Sequence, residues 1–298
     1  MKTDDTSSSC PMCGKSQASN IIDWHYCCSA CDVEYSTLAP AISRVDEIGC
    51  IEEGRRRVAL EALRISNARQ IVSELIRLGC KQDARILDVG CAYGWFLDVA
   101  KEAGFQADGV EPEQEIADFA RSKGHEVLIG YYPDAVPSTA SYNVIAFNDV
   151  LEHIPNPESI IRACRDRLPP GGFLSVAIPI RTGFFYRVSK LLFRLGVRSP
   201  FERMWQAKFH SPHITYFSQN SLTRLAERNG FNLLSSRRLD VLKRKGVWER
   251  LRYDSQMNAF KASIIWFMVQ ISLLFLKVLP SDTVHFVFVK NSESKEDL

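Results

Sequence analysis

The feature that most constrains the fold is a regular alternation of short apolar runs with helical segments, which begins at residue 84. Runs of strand length, such as "RILDVG", "ADGVEP" and "YNVIAFN", are each followed by a segment with helical spacing. Strands that alternate with helices predict a parallel sheet covered by helices on both faces. The pattern continues through 221–239, and "TVHFVFVK" predicts a final strand. The chain is therefore predicted to be an α/β protein.

The first strand leads into a glycine-containing loop and a helix, in the sequence "ILDVGCAYGWFLDVA". Gly90 and Gly94 allow a ligand to approach the backbone closely, and the helix N-terminus presents free N–H groups. The spacing is D-x-G-x-x-x-G, which begins at Asp88 and differs from the G-x-G-x-x-G of a dinucleotide site. No pyrophosphate loop is therefore predicted. Glu111 ends the next strand, where a carboxylate can accept hydrogen bonds from ribose hydroxyls.

These motifs, together with "FNDVLEHIPNP" and "LPPGGFLSVAIP", resemble in order and spacing the cofactor half of class I S-adenosylmethionine-dependent methyltransferases of the ubiquinone type. The resemblance covers residues 84–178 and implies a Rossmann-like, mostly parallel seven-stranded sheet that binds S-adenosylmethionine. It implies cofactor contacts from Asp88, Gly90, Cys91, Gly94, Glu111, Pro112, Asn148 and Asp149. The family often has an aspartate after the third strand for the adenine, whereas this chain offers Tyr131 or Asp134.

A charged motif follows the fourth strand, where the resemblance places the methyl acceptor. Asp149, Glu152 and His153 are similar to the acidic-x-x-Glu-His signature of ubiquinone-type O-methyltransferases, whose residues surround the acceptor and are candidate ligands of a divalent metal. An oxygen acceptor must lose its proton, so a base or a metal is expected there. Residues 209–231 resemble a second segment of the superfamily, in which His210 and His213 are each a candidate base or a candidate hydrogen-bond donor to the substrate, and His213 is favoured. The alternative is that these residues only structure their loops.

A separate metal site is predicted near the N-terminus. Cys10 and Cys13 form one C-x-x-C pair, Cys28 and Cys31 form a second, and 14 residues separate the pairs. Two such pairs are typical of a zinc ribbon, in which four thiolates close a tetrahedral structural site. Cys27 is adjacent to Cys28 and is an alternative ligand, and only the C-x-x-C spacing favours Cys28. His25 is a weaker candidate.

The domain boundaries are predicted from these motifs and from composition. A zinc ribbon is expected over 1–45, a helical linker over 46–82, and the methyltransferase domain over 83–298 with insertions at 180–216 and 241–280. The N-terminal residues lack an apolar signal segment, so a cytoplasmic location is expected. The net charge is +2, but 17 Lys and Arg face 5 Asp and Glu over 181–261. Such asymmetry indicates an anionic partner for this part of the chain.

The function favoured by these observations is methyl transfer to a small, glycan or lipid-linked acceptor, at oxygen. One alternative is an RNA methyltransferase that uses the ribbon and the basic C-terminal half to bind RNA. Against this alternative, "NDVLEH" is not the Asn-Pro-Pro-Tyr type of motif, and the ribbon has no stripe of basic and aromatic residues. A second alternative is a cofactor-binding scaffold without activity, although an intact glycine loop and Glu111 argue against a decayed site.

The two insertions predict contact with an anionic membrane surface. Apolar residues of 184–195 fall on one helical face and basic residues on another, which is typical of an interfacial helix. Residues 262–279 are apolar nearly all round, but their length is borderline for a membrane span. We therefore expect a segment that caps the acceptor pocket and dips into lipid at the inner face of the membrane. The alternative is a lid in which the two segments pack on each other over a small apolar substrate.

Overall fold

The structure is a computed structural model that describes residues 7–39, 53–209, 211–241 and 278–291, with four further positions between 263 and 270. Its elements, in chain order, are β1 (Ser7–Ser9), β2 (Ser16–Ala18), β3 (His25–Cys28), β4 (Val33–Ser36), α1 (Glu53–Arg77), β5 (Arg85–Val89), α2 (Trp95–Glu102), β6 (Gln106–Glu111), α3 (Gln114–Ser122), β7 (Glu126–Ile129), β8 (Val144–Asn148), a 3₁₀ turn (Leu151–His153), α4 (Pro157–Arg167), β9 (Phe173–Pro179), α5 (Phe184–Arg194), α6 (Ser199–Met204), β10 (Thr215–Phe217), α7 (Gln219–Glu227), β11 (Phe231–Arg238) and β12 (Thr283–Lys290).

The centre of the molecule is a seven-stranded sheet in the order β11-β12-β9-β8-β5-β6-β7. The five strands from β5 to β9 pair in parallel, whereas β12 runs antiparallel to both β9 and β11. Alternate side chains of a strand point to opposite faces, and each face here has its own apolar core. Leu87 and Phe147 belong to one core, while Ile86 and Ala146 belong to the other. The predicted mostly parallel, seven-stranded Rossmann-like sheet is therefore confirmed.

Helix α1 covers part of one face of the sheet. Sequence periodicity predicts one or two helices here, and the structure has a single helix that ends at Arg77. Its residues Ile71, Val72 and Leu75 are buried in the same core as Phe96 of α2. The predicted linker therefore packs on the sheet domain. The boundaries at 45 and 82 remain predictions.

The N-terminal module and the first insertion share one small sheet. Strand β4 pairs with β3 on one side and with β10 on the other, so that Tyr35 lies opposite Thr215. The insertion over 180–216 thus supplies α5, α6 and the start of β10. Because β10 completes the sheet of the ribbon, the ribbon is joined to the sheet domain by backbone hydrogen bonds as well as by the chain.

Helix α5 is the predicted interfacial helix of the first insertion. It buries Tyr186, Ser189 and Phe193, whereas Leu191 and Leu195 are 56% and 70% exposed. The second predicted membrane segment, 262–279, lies mostly outside the described residues. In the part of the chain that the structure describes, no helix is long and apolar enough to span a bilayer.

Candidate active site and metal centre

The loop after β5 has a backbone that requires glycine at two positions. Gly90 has φ of +71°, and a Cβ atom there would lie 2.5 Å from a methyl group of Val150. Gly94 has φ of +77° and precedes α2, and a Cβ atom there would lie 2.7 Å from the ring of His125. Residues with a Cβ atom are strained at such φ values, so this loop conformation requires glycine at both positions. The loop lies beneath a cavity. Gly94 acts through its packing, because it is not among the residues that line this cavity.

The cavity has a volume of about 540 Å³ and lies at the carboxyl ends of the parallel strands. Seven of the eight predicted cofactor residues line it, namely Asp88, Gly90, Cys91, Glu111, Pro112, Asn148 and Asp149. Of the two candidates for the adenine, Tyr131 lines the cavity, whereas Asp134 is an exposed residue away from its wall. Carboxyl ends of strands are where open α/β sheets bind their ligands. The topology therefore brings these predicted residues into one binding site.

Glu111 is held at the cavity wall by two backbone amides. One carboxylate oxygen accepts from the N–H of Ala92 at 3.0 Å, and the other accepts from the N–H of Glu113 at 3.1 Å. Both bonds fix the orientation of the carboxylate. Because each carboxylate oxygen has a second lone pair, the group can still accept two hydrogen bonds from a ligand.

Asp88 is buried beneath the same cavity and accepts a hydrogen bond from the side-chain amide of Asn148 at 2.8 Å. Burial raises the pKa of Asp88 to about 7, although the bond from Asn148 opposes this shift. Burial also raises the pKa of Glu111 to about 7 and that of Glu152 to about 8. Three carboxyl groups are thus held in surroundings that disfavour their charged forms, which is typical of functional sites.

These raised pKa values predict a pH dependence of stability. In the unfolded chain these carboxyl groups have a pKa of about 4, so they have already lost their protons at pH 6.5. In the folded protein they still hold protons at that pH and lose them as the pH rises towards 8. The free energy of unfolding of the ligand-free protein should therefore fall between pH 6.5 and 8. This window lies above the ordinary pKa of histidine, whose buried members would act in the opposite sense. Urea unfolding at several pH values measures the slope. Glu152→Gln should make the decrease in the free energy of unfolding with pH shallower. An unchanged slope in this variant would contradict the raised pKa of Glu152.

Arg64 is a cavity residue that sequence reasoning missed. It projects from α1 and forms an ion pair with Asp149, whose φ is +56° at the end of β8. Asn67 and Leu60 of the same helix also line the cavity, as does Leu239 after β11. The helical spacing of 51–78 gave no signal for this role, because Arg64 is one of several arginines in the segment.

His153 lies on the cavity wall with a defined tautomer. Its Nδ1 is 2.9 Å from the backbone carbonyl of Pro212, which can only accept, so Nδ1 carries the proton. In the neutral imidazole Nε2 is then the basic nitrogen, and it lies 4.0 Å from a carboxylate oxygen of Glu152. Glu152 itself is 1% exposed and neither of its oxygens has a hydrogen-bond partner among the described residues.

His213 lies behind His153 rather than on the cavity wall. The two rings are 4.8 Å apart, and His213 is 6% exposed. The hydroxyl of Tyr216 donates to the carbonyl of Met204, so Nδ1 of His213 must donate to that hydroxyl, and Nε2 accepts from the amide of Gln206 at 2.8 Å. Burial lowers the pKa of His213 well below its usual value. These contacts favour a positioning role over the catalytic role predicted from sequence. His210 lies outside the described residues.

The four predicted zinc ligands converge in the N-terminal module. The Sγ atoms of Cys10, Cys13, Cys28 and Cys31 all lie within 4.8 Å of one another, and those of Cys13 and Cys28 are 3.8 Å apart. A tetrahedral zinc site with bonds of about 2.3 Å would separate its sulfur atoms by about 3.8 Å. The backbone N–H of Met12 also donates to the sulfur of Cys10. The residues therefore fit a closed four-thiolate zinc site, and neither Cys27 nor His25 belongs to the cluster.

Zinc content gives a direct test of this site. The purified protein should contain about one zinc ion per chain by elemental analysis, because four thiolates in one closed site bind one ion. Cys13→Ser should lose the metal, whereas Cys27→Ser, the matched change outside the cluster, should keep it. Metal-free wild-type protein that is fully folded would contradict the ribbon assignment.

The fold and the site together define a class of protein, the Rossmann-like methyltransferases. The family model of the methyltransferase domain matches residues 62–236, which is more than half of the chain. The chain therefore belongs to the class I S-adenosylmethionine-dependent methyltransferase family.

Curated relatives match over a shorter region. A ubiquinone biosynthesis O-methyltransferase from Shewanella halifaxensis is 36% identical over 97 residues, which are 30% of this chain and 41% of the relative. The corresponding protein from Bordetella avium is 31% identical over 103 residues, which are 32% of this chain and 43% of the relative. The chain thus spans less than half the length of these relatives.

Solved structures show the same fold at low identity. A SAM-dependent methyltransferase from Thermotoga maritima superposes with a TM-score of 0.53 at 17% identity, over 81% of this chain and 96% of that one. Phosphoethanolamine N-methyltransferase 2 from Haemonchus contortus, in complex with S-adenosyl-L-methionine, gives 0.55 at 16% identity, over 87% and 62% of the two chains.

Proposed function

We propose that this protein transfers the methyl group of S-adenosylmethionine to a hydroxyl oxygen of a small acceptor. The observation that carries the proposal is His153, whose basic Nε2 stands on the wall of the cavity that also contains the glycine loop and Glu111. A cofactor on Glu111 and an acceptor beside His153 would therefore share one cavity. The names of the curated relatives support oxygen as the methylated atom.

On the cofactor side, each contact is assigned by the chemistry of the residue. Glu111 would accept hydrogen bonds from the ribose hydroxyls, and Tyr131 would cover the adenine. The pair of Asp88 and Asn148, with the loop at Gly90, would meet the methionine part. Asp149 already forms an ion pair with Arg64. It would therefore contact the cofactor while it keeps this ion pair.

On the acceptor side, the protein mainly aligns the reacting atoms. Methyl transfer from a sulfonium is an in-line displacement, and alignment alone can supply roughly 7–11 kcal/mol of the barrier. Nε2 of His153 would remove the hydroxyl proton, while the Pro212 carbonyl holds the ring in the reactive tautomer. Val150, Ile154 and Leu239 add apolar surface to the cavity wall, which suits an acceptor with an apolar body.

A divalent metal at the acceptor is the alternative to proton removal by His153, because Nε2 cannot bind a metal and accept a proton at the same time. Glu152 fits this role, because its buried carboxylate has no hydrogen-bond partner among the described residues and lies beside His153. Glu152 and His153 would each supply one ligand, and Asp149 is the third candidate. Both nitrogens of His213 are already hydrogen-bonded, so His213 does not fit as a ligand. A divalent cation would lower the pKa of the acceptor hydroxyl.

The test begins with calorimetric titration of S-adenosylmethionine and continues with a labelled-methyl screen over phenolic, glycan, lipid and RNA fractions. Label in a base-stable, small-molecule ether would support the proposal. Label in RNA would favour the RNA methyltransferase alternative, and cofactor binding without transfer to any fraction would favour the scaffold.

We also propose that α5 brings the acceptor side of the protein to an anionic membrane surface at the cytoplasmic face. Its exposed Leu191 and Leu195, with Val197 beyond, stand among the exposed basic residues Arg187 and Arg194. Apolar side chains flanked by arginines are typical of an interfacial helix.

Vesicle flotation tests this second proposal. The protein should float with anionic vesicles and less with neutral ones, and binding should weaken with salt, because each basic side chain near the surface contributes about 1 kcal/mol. Leu191→Gln with Leu195→Gln should reduce flotation. Deletion of 259–279 tests the second segment. Protein that stays at the bottom of the gradient with both vesicle types would favour the lid interpretation instead.

A further inference from the structure

The ribbon makes contact with the acceptor side of the active site through a short chain of hydrogen bonds. The backbone N–H of Ser36, the last residue of β4, donates to the carbonyl of Ile214 at 2.9 Å, and its hydroxyl donates to the carbonyl of His213 at 2.7 Å. The N–H of Ile214 in turn donates to the carbonyl of Glu152 at 2.7 Å. Two consecutive backbone hydrogen bonds, through Ile214, therefore join the ribbon to the turn that carries His153.

A buried charge cluster ties the same strand of the ribbon to the first insertion. Glu34 is 1% exposed, and its carboxylate accepts hydrogen bonds from His25, Arg181, Tyr186 and Lys190 at 2.8–3.0 Å. A buried carboxylate is stable only when it is paired and hydrogen-bonded in this way. Because Arg181 follows β9 and the other two insertion residues belong to α5, Glu34 fixes both elements to the ribbon.

Asp32 makes a second set of contacts beside the cysteine cluster. It forms an ion pair with Arg181 and accepts a hydrogen bond from the hydroxyl of Ser218, the N-cap residue of α7. Asp32 directly follows Cys31 in the chain, and Glu34 lies two residues further along. The geometry that the four cysteines adopt therefore sets where these carboxylates meet the insertion.

We propose that the zinc ribbon is a positioning module for the acceptor half of the active site, and that Ser36 is its point of contact with the segment 211–217. In this arrangement, metal binding orders β4, and β4 in turn orders β10 and the backbone of His213. The ring of His213 then supports the ring of His153, and the two ring centroids are 4.8 Å apart. The proposal rests on the proposed function, because it assigns the ribbon to the side of the cavity where His153 acts. Among the described residues, Ser36 has hydrogen bonds to His213 and Ile214 and none to β5 or β6, which form the cofactor side.

Amide hydrogen exchange measured by mass spectrometry tests the proposal without knowledge of the acceptor. Four proteins are compared: wild type, Ser36→Ala, Cys13→Ser and the matched control Cys27→Ser. Ser36→Ala removes one hydrogen bond and should raise exchange in 213–217 and 151–154 by about threefold to tenfold. Cys13→Ser should lose zinc and raise the same exchange by more than about tenfold, since it releases the whole contact.

Binding of S-adenosylhomocysteine provides the second readout. Its affinity should stay within about twofold of wild type in Ser36→Ala, because the cofactor groove lies on other strands, and Ser36→Thr, which keeps the hydroxyl, should restore wild-type exchange. Unchanged exchange in 213–217 after zinc removal would overturn the proposal. So would a loss of cofactor binding in Ser36→Ala, which would show a general effect on folding. His153→Ala could retain turnover while zinc removal still raised exchange in 213–217. That result would contradict the proposed role of His153 as the base, but it would leave the contact between the ribbon and this segment supported.

Discussion

His153→Ala is expected to lower the turnover of methyl transfer by about 100-fold or more, because general base catalysis by a positioned side chain typically contributes at least that factor. The cofactor affinity should stay near the wild-type value, since Nδ1 of His153 contacts Pro212 and Ser211 and not the glycine loop. Turnover is measured as label transferred to the acceptor at saturating cofactor. Calorimetry with S-adenosylhomocysteine measures the affinity.

His153→Gln is the control that separates proton removal from positioning. A glutamine amide can still donate to the Pro212 carbonyl but cannot accept a proton at neutral pH. It should therefore be as slow as the alanine variant if Nε2 acts as the base. Wild-type turnover in either variant would remove His153 from the mechanism, and partial recovery in His153→Gln alone would indicate a positioning role.

Glu111→Ala is expected to weaken the binding of S-adenosylmethionine by at least about tenfold. The carboxylate is buried and already oriented by the N–H groups of Ala92 and Glu113, so water replaces its bonds to ribose poorly. Charge-assisted hydrogen bonds contribute about 1.5–3 kcal/mol each, and 1.4 kcal/mol corresponds to tenfold in affinity. Isothermal titration calorimetry at pH 8, where Glu111 is ionised, gives the dissociation constant directly.

Glu115→Ala is the matched control for this experiment, because Glu115 is an exposed glutamate at the start of α3, four residues along the chain. It should bind the cofactor as the wild type does. Asp88→Ala should also weaken binding, but it leaves the amide of Asn148 without its present acceptor and so changes the loop as well. Wild-type affinity in Glu111→Ala would refute the ribose role.

The fold was predictable from sequence because its signals are local. The apolar runs of β5 and β8, the glycines of the first loop and the paired cysteines all lie within short windows of chain. Their spatial convergence then follows from a general rule, that ligands bind at the carboxyl ends of parallel strands. For this reason the cofactor side of the cavity contains nearly every residue that the motifs indicated.

The acceptor side was harder to predict because its contacts are distant in sequence. Arg64 meets Asp149 from a helix that resembled a linker, and β10 pairs with a strand that precedes it by about 180 residues. His213 illustrates the limit, because the sequence motif makes it the favoured candidate base, whereas only the bonds to Tyr216 and Gln206 reveal that both its nitrogens are used. Hydrogen-bond satisfaction of a buried side chain has no signature in sequence spacing.

The pairing of β4 with β10 has a consequence for biosynthesis. The ribosome completes the ribbon first, yet the edge of β4 that faces Thr215–Phe217 stays open until those residues emerge. At about 5–20 residues per second, this interval is roughly 10–40 s. An unpaired strand edge is a site of aggregation, so early capture of zinc by the nascent chain would hold the ribbon in shape while its last strand is still being made. We therefore expect cells that are short of zinc to accumulate less of this protein.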